Sequence, residues 1–242
     1  GNKAIDSDIE YNIFNVTVGK PSPKIVNYNT SAPNIIENNV FFITLGTEFS
    51  FDNIVVTVHE VKDKTVIFKA VLKDREGNVL ANKPVSFTFN NEEINCTTDE
   101  NGAAYIECNV KAAGTYEILM KFDGDDEYFS TTATGTITVR KIKTSISVSN
   151  ASYKTTAATK TIKATLKDEN GVALKGRTIK FVVNGVTYTG TTDASGVASV
   201  KVNLNAGGTY AISASVAEES EYASSSASGK LTLTKQSTSL TS

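Results

Sequence analysis

Apolar and polar residues alternate along most of this chain, and the alternating segments occur twice. Residues 65–139 align without a gap to the residues 94 positions later, and 27 of these 75 pairs are identical. Alternation with a period of two is typical of β-strands that bury one face. The pattern therefore predicts a tandem repeat of two all-β units, and no segment keeps a helical period.

The alternation also predicts which side chains form the core. In the first copy we expect inward side chains at Phe68, Ala70, Leu72, Val85, Phe87, Phe89, Ala104, Ile106, Cys108, Val110, Tyr116, Ile118, Met120, Phe122, Ile137 and Val139. The residues between them are mostly Thr, Lys, Ser and Glu. One apolar and one polar face indicate antiparallel sheets that pack face to face.

Turn signals separate the predicted strands. Asp in first place and Gly in fourth place suit a type I turn, and four segments have this form: 74–77, 99–102, 168–171 and 193–196. Two-residue hairpins are indicated at 90–91 and 184–185, because Asn and Gly accept positive φ angles. Roughly seven short antiparallel strands in each copy predict tandem immunoglobulin-like β-sandwiches.

The repeat predicts the organisation of the chain. We expect residues 1–47 to be the terminal strand of a preceding repeat plus a connector. Residues 48–141 and 142–236 are the first and second immunoglobulin-like domains, and 237–242 begin a further repeat. The first residue is Gly1 rather than Met, so we expect a piece of a longer protein whose targeting segment or membrane anchor lies elsewhere.

Composition narrows the classes of function. The chain has 242 residues and a net charge of −2, with an isoelectric point near 5.6. Its basic residues occur singly, whereas nucleic-acid-binding proteins concentrate them on one face. It has no apolar run of the length that a membrane span needs. We therefore expect no nucleic-acid partner and no membrane insertion by this segment.

The two cysteines of the chain, Cys96 and Cys108, flank the turn at 99–102 in the first copy only. Their counterparts in the second copy are Gly190 and Val202. Their joint presence predicts a disulfide and hence an oxidising compartment. The alternative is two thiols that pack as small apolar groups, and a tight hairpin would place Cys96 opposite Tyr105 rather than Cys108.

Several motifs resemble those of a known family. Residues 114–118 and 208–212 are similar to the Gly-x-Tyr-x-Cys stretch of immunoglobulin domains, with Ile in place of the cysteine. Residues 124–130 and 136–139, with the turn at 97–104, resemble the bacterial-type immunoglobulin-like repeats of prokaryotic cell-surface adhesin-like proteins, above all those of methanogenic archaea. The resemblance implies a stalk or adhesive module without catalytic residues. The second copy lacks the Gly-Asp of the loop at 124–125, which argues against a shared role for that loop.

Two kinds of candidate site remain. The acidic loop of the first copy offers oxygen ligands to calcium at Asp123, Asp125, Asp126 and Glu127, although a solvated turn is the simpler explanation, because runs of charge are usually solvated. Four Asn-x-Ser/Thr motifs are candidate glycan acceptors, at Asn15, Asn29, Asn95 and Asn150.

The residues favour a protein that is not an enzyme and needs no cofactor. The one histidine, His59, has no recurring nucleophile or acid near it in sequence, and we expect it to be exposed. The expected function is that of a monomeric stalk or adhesion segment, extracellular and on the cell surface, with a surface protein or glycan as partner.

Two alternatives remain open. One is a module that itself binds a glycan or a protein; the other is an accessory module of a secreted carbohydrate-active enzyme. A binding module displays exposed aromatic side chains, and the candidates are Tyr105, Tyr188 and Phe129.

Overall fold

The structure, a computed structural model, describes residues 45–236, which form sixteen β-strands and no helix. The strands of the first copy are β1 (Thr47–Phe51), β2 (Ile54–Thr57), β3 (Val66–Asp74), β4 (Pro84–Phe89), β5 (Glu92–Thr97), β6 (Ala103–Cys108), β7 (Gly114–Phe122) and β8 (Thr131–Arg140). Those of the second copy are β9 (Thr144–Ser149), β10 (Ala151–Lys154), β11 (Thr161–Asp168), β12 (Thr178–Val183), β13 (Val186–Thr191), β14 (Val197–Lys201), β15 (Gly208–Val216) and β16 (Ser225–Thr234).

Each copy folds into one three-stranded and one five-stranded sheet. In the first copy the strand orders are β1-β3-β6 and β2-β8-β7-β4-β5; in the second they are β9-β11-β14 and β10-β16-β15-β12-β13. The predicted all-β fold of immunoglobulin-like sandwiches is confirmed. Each copy has eight strand segments rather than seven, because its first strand is divided between the two sheets.

The chain divides into two compact units whose limits differ from those of the sequence repeat. Residues 55–64, 110–114 and 138–141 of the first copy group with the second copy rather than with the rest of the first. The boundaries at 48–141 and 142–236 therefore stay a prediction. Predictions about residues 1–44 and 237–242 lie outside the described part of the chain.

Each copy has its own apolar layer between its sheets. The largest fully buried side chains are Phe68, Leu72, Phe87, Ile118, Met120, Phe122 and Ile137 in the first copy, and Ile162, Leu166, Ile179, Phe181 and Ile212 in the second. The inward positions were predicted correctly, with the exception of Tyr116, which is half-buried. Burial of this apolar surface is the main favourable contribution to folding.

The first strand of each copy changes sheets at an asparagine. β9 pairs antiparallel with β11, and then β10 pairs parallel with β16. Between them Asn150 Oδ1 accepts the backbone N–H of Lys230 at 2.8 Å. In the first copy Asn53 Oδ1 accepts the N–H of Thr136 at the same distance. The side-chain amide thus satisfies a backbone donor at the point where the strand leaves its ladder.

The first strand also explains why the ungapped alignment starts at Thr65. Asn53 and Asn150 are 97 positions apart, whereas Thr136 and Lys230 are 94 apart. The three additional residues of the first copy lie in the turn after β2, which contains the exposed His59.

A glycine makes room for this crossing in each copy. A Cβ atom on Gly135 would lie 2.4 Å from Phe68 Cζ, and one on Gly229 would lie 2.6 Å from Val148 Cγ1. Contacts this short force the neighbouring side chains to move, so the sheets approach closely here only because the residue is glycine.

We expect Gly135→Ala to lower the free energy of unfolding by about 1–3 kcal/mol, because it overpacks the side chain of Phe68. Urea denaturation of the full chain measures the change. The neighbouring exposed Thr134 serves as control, and Thr134→Val should change it by less than about 0.5 kcal/mol. Equal stability of the two variants would contradict the close packing at Gly135.

Candidate functional site

The most constant polar feature of the two copies is a buried threonine at the turn before β6 and β14. Thr98 Oγ donates to the carbonyl of Leu80 at 2.6 Å and accepts the N–H of Lys83 at 2.9 Å. Thr192 repeats this with Leu174 at 2.6 Å and Arg177 at 2.8 Å. Each hydroxyl therefore joins the turn to the loop that precedes β4 or β12.

The aspartate that follows shapes the turn itself. Asp99 Oδ1 accepts the N–H groups of Asn101 and Ala103 at 2.8 and 2.9 Å. In the second copy the hydroxyl of Ser195 and the N–H of Val197 lower the pKa of Asp193. All these donors belong to the turn, so the carboxylate stabilises its backbone conformation.

The fourth residue of the turn must be glycine in both copies. Gly102 has a φ of 68°, and a Cβ atom there would lie 2.8 Å from the carbonyl oxygen of Leu72. Gly196 has a φ of 75°, and a Cβ atom there would lie 2.4 Å from the carbonyl oxygen of Leu166. The recurring Thr-Asp-x-x-Gly motif therefore has a structural reason at each position.

We expect Thr98→Val to lower the free energy of unfolding by about 1–3 kcal/mol, because it leaves a buried carbonyl and a partly buried N–H without a partner. Thr192→Val should have the same effect on the second copy. Thr97→Val, which alters an exposed side chain, is the matched control in urea denaturation. If Thr98→Val were as stable as the control, the buried hydroxyl would have no structural role.

The acidic loop after β7 holds a lysine over a tyrosine. Lys83 Nζ lies 2.6 Å from Asp125 Oδ2 and 4.6 Å from the centre of the Tyr128 ring. Asp125 Oδ1 accepts the N–H groups of Glu127 and Tyr128, each at 2.9 Å. Partial burial raises the pKa of Asp125, but Lys83 and the two N–H groups outweigh it, so that this pKa is lowered overall.

The second copy builds the same arrangement from different residues. Arg177 donates to Glu219, and its guanidinium carbon lies 4.5 Å from the centre of the Tyr222 ring. The N–H of Glu219 donates to the carbonyl of Tyr222 at 2.9 Å. We call each trio of cation, carboxylate and tyrosine the loop clasp. The expectation that the loop has no shared role was wrong, because Glu219 replaces Asp125 and Arg177 replaces Lys83.

The four calcium candidates do not form one cluster of ligands. Asp123 pairs with Lys121 at 2.7 Å, whereas Asp125 belongs to the loop clasp; calcium binding stays a prediction. Among residues 45–236, no three His, Cys, Asp or Glu side chains form a group that could hold a metal ion. The loop as described is arranged around a cation of its own chain.

The predicted disulfide is not formed, and that prediction was wrong. Cys96 lies on β5 and Cys108 on β6, and both are free thiols. The thiol of Cys96 is 3.6 Å from the carbonyl oxygen of Tyr105, and Cys108 is three residues further along β6. Three residues of a strand span about 10 Å, more than the roughly 7 Å that a disulfide allows between Cα atoms.

The two thiols should differ in reactivity. Burial raises the pKa of Cys108 to about 11 and also raises that of Cys96, which is less buried. Because the thiolate is the reactive form, we expect an aromatic disulfide reagent at pH 8 to modify Cys96 slowly and Cys108 only after unfolding. In urea both thiols should titrate without prior reduction. If thiols could be titrated only after reduction, the cysteines would be joined in a disulfide after all.

The remaining candidates are the glycan acceptors and the exposed aromatic side chains. Asn95 on β5 and Asn150 are exposed, while Asn15 and Asn29 lie outside the described residues; glycosylation stays a prediction. Tyr105 and Phe129 are 49% and 38% exposed. The predicted exposure of Tyr188 was wrong, because this side chain packs against the core of the second copy.

The tyrosine in the motif at 208–212 forms a hydrogen bond of the tyrosine-corner type. Tyr210 Oη donates to the carbonyl of Ala206 at 2.9 Å, which fixes the loop before β15. The loop clasp, in contrast, was missed. The sequence contained a signal for it, since Lys83 and Arg177, both cations, are 94 positions apart and so are Asp125 and Glu219.

No known family model matches the chain. It is similar to solved structures of a Ca²⁺-stabilised adhesin that helps an Antarctic bacterium to bind ice (19% identity, 81% of this chain and 50% of that one, TM-score 0.32). It is also similar to invasin, a bacterial integrin-binding protein (19%, 78% and 39%, 0.34), and to the D0-D1 domains of intimin (17%, 76% and 97%, 0.33). The chain thus spans half or less of the first two structures. In residues 45–236 no helix has the length and hydropathy of a membrane span.

Proposed function

We propose that this chain is a non-catalytic stalk and adhesion segment of an extracellular, cell-surface protein. Residues 48–141 and 142–236 would be its two immunoglobulin-like domains, and the segment would be a monomer. The observation that carries the proposal is that the recurring polar side chains bond to their own copy rather than face a ligand site. Thr98, Asp99 and their counterparts Thr192 and Asp193 make their hydrogen bonds within their own copy, almost all of them to its backbone.

This use of polar groups distinguishes a structural repeat from an enzyme. A catalytic site needs a nucleophile or base that faces the substrate, with a second group to orient it. Here the recurring carboxylates and hydroxyls stabilise turns. The exposed His59 lies in a turn that has three more residues in the first copy than in the second.

The cell-surface location rests on the sequence motifs. The stretches at 97–104, 124–130 and 136–139 resemble adhesin-like repeats, and the likeness to proteins of methanogenic archaea is part of the proposal. Exposed threonine, serine and asparagine side chains, including the glycan acceptor candidates Asn95 and Asn150, agree with an extracellular surface.

A binding role is the second candidate, and one surface of the first copy favours it. Tyr105 and Ile67 are 49% and 59% exposed on the outer face of the three-stranded sheet, where β3 and β6 pair. Lys69 Nζ lies 5.7 Å from the centre of the Tyr105 ring. The counterparts of Tyr105 and Ile67 are Ser199 and Thr161, so this apolar patch belongs to the first copy alone.

Antibodies raised against this chain test the proposed location on the cells that produce it. We expect them to label intact cells without permeabilisation. Label that appears only after permeabilisation would contradict a surface stalk, and protein found only in the medium would favour the accessory module of a secreted enzyme.

A glycan array and a panel of surface proteins separate stalk from binding module. A stalk gives no selective binding by the full chain. Selective binding that is lost in Tyr105→Ser, and retained in Leu119→Ser, which alters an exposed apolar side chain of the other sheet, would favour the binding module.

A further inference from the structure

In each copy, the segment by which the chain enters the sandwich lies beside the segment by which it leaves. In the second copy Ile142 forms a parallel bridge with Tyr222. The N–H of Ile142 donates to Glu221, and the N–H of Ala223 donates back to Ile142, both at 2.9 Å. Thr144 Oγ1 adds a bond to the carbonyl of Ala223 at 2.9 Å.

Further along, the same two stretches meet again in the same relative direction. β10 runs parallel to β16 in the register Ala151↔Leu231 to Lys154↔Thr234. The N–H of Thr155 then donates to the carbonyl of Thr234 at 2.9 Å. We call this set of contacts, with the bond between Asn150 and Lys230, the terminal seam.

The first copy repeats the terminal seam wherever the structure describes it. Leu45 forms a parallel bridge with Tyr128, and Thr47 Oγ1 donates to the carbonyl of Phe129 at 2.8 Å. β2 lies beside β8, and the N–H of Val58 donates to the carbonyl of Arg140 at 3.0 Å.

The direction of pairing decides how the seam responds to tension. When the two ends of a copy are pulled apart, the entering strand is drawn backwards and the last strand forwards. Parallel strands then slide along each other, and their evenly spaced hydrogen bonds are strained together. If the two strands were antiparallel, their loaded ends would lie at the same place and the bonds would open one after another.

We infer that each copy has a further function, to carry tension between its two chain ends through the terminal seam. The inference rests on the proposed stalk role, because a stalk that joins a cell to a surface is loaded along its chain. The loop clasp supports the seam. Tyr222 is both the bridge partner of Ile142 and the ring beneath the Arg177 cation, so the clasp holds the segment to which the entering chain binds.

The hydrogen bond between Asn150 and Lys230 makes the terminal seam continuous. It lies where the entering strand has left β11 and has not yet joined β16. Without it, the seam would consist of two short parts with a gap at the crossing.

Single-molecule force spectroscopy of the full 242-residue chain, held by tags at its two ends, tests the inference. Thr155→Pro removes the N–H that donates to Thr234, and Asn150→Ala removes the bond at the crossing. We expect one of the two unfolding events to shift to a lower rupture force in either variant, while the event of the first copy stays unchanged.

The control separates mechanical from thermodynamic effects. Ile212→Val trims the core on β15, away from the seam, and urea denaturation of each variant gives its loss of stability. Per unit of stability lost, the seam variants should lose more rupture force than Ile212→Val. An equal loss would overturn the inference.

A second pulling direction tests the same inference on the native seam. A handle on Val186→Cys, in a background of Cys96→Ser and Cys108→Val, lets force act between the sheet edge at β13 and the C-terminal end. This direction pulls across the strands, so the second copy should rupture at a lower force than when it is pulled end to end. Equal forces would show that the seam carries no special load. Such a result would leave the proposed surface location untouched, because antibody labelling does not depend on rupture force.

Discussion

The first strand of each copy has to serve two sheets, and the rest of the sandwich depends on how it does so. It completes the three-stranded sheet, crosses at Asn53 or Asn150, and then borders the five-stranded sheet beside the last strand. Gly135 and Gly229 allow the close approach that the crossing requires. Because both sheets share this strand, the apolar layer between them is closed along one edge by covalent connection rather than by packing alone.

The polar groups that recur between the copies connect separate loops, as the first strand connects the two sheets. Thr98 and Thr192 tie one turn to another loop, and the loop clasp ties that loop to the one after β7 or β15. The clasp changes its residues between copies but keeps its charges and its aromatic ring. A cation above a tyrosine and beside a carboxylate is stabilised by both, so Lys83 with Asp125 can be exchanged for Arg177 with Glu219.

Much of the fold could be predicted from the sequence, because alternation and turn chemistry are local. The inward residues, the four Asp-to-Gly turns and the hairpins at 90–91 and 184–185 follow from neighbours in the chain. The positive φ angles of Asn90, Asn91, Asn184 and Gly185 agree with that reasoning. The disulfide prediction failed because it rested on the joint presence of two cysteines, whereas their separation in space depends on the strands; Cys96 contacts Tyr105, the residue that the turn at 99–102 had indicated.

The features that were missed are those that join distant parts of the chain. The role of Asn53 and Asn150 was hidden because the first strand is displaced by three residues relative to the rest of the repeat. The loop clasp was hidden because its cation and carboxylate are 42 positions apart in each copy. The loop clasp becomes visible when positions are compared by charge rather than by identity, and the two asparagines become visible when the first strands are aligned with a shift of 97 positions.

Amide hydrogen exchange of the full chain tests the central claim most directly, that entering and leaving strands are held together as firmly as the core. The account predicts that the amides along this first strand and its partners exchange only through unfolding of their own copy. Val58 and Thr136 should exchange as slowly as Ile118 in the core of the first copy, and Thr155 and Lys230 as slowly as Ile212 in the core of the second. Fast exchange of these four amides, while Ile118 and Ile212 stay protected, would mean that the first strand opens locally and would contradict the account.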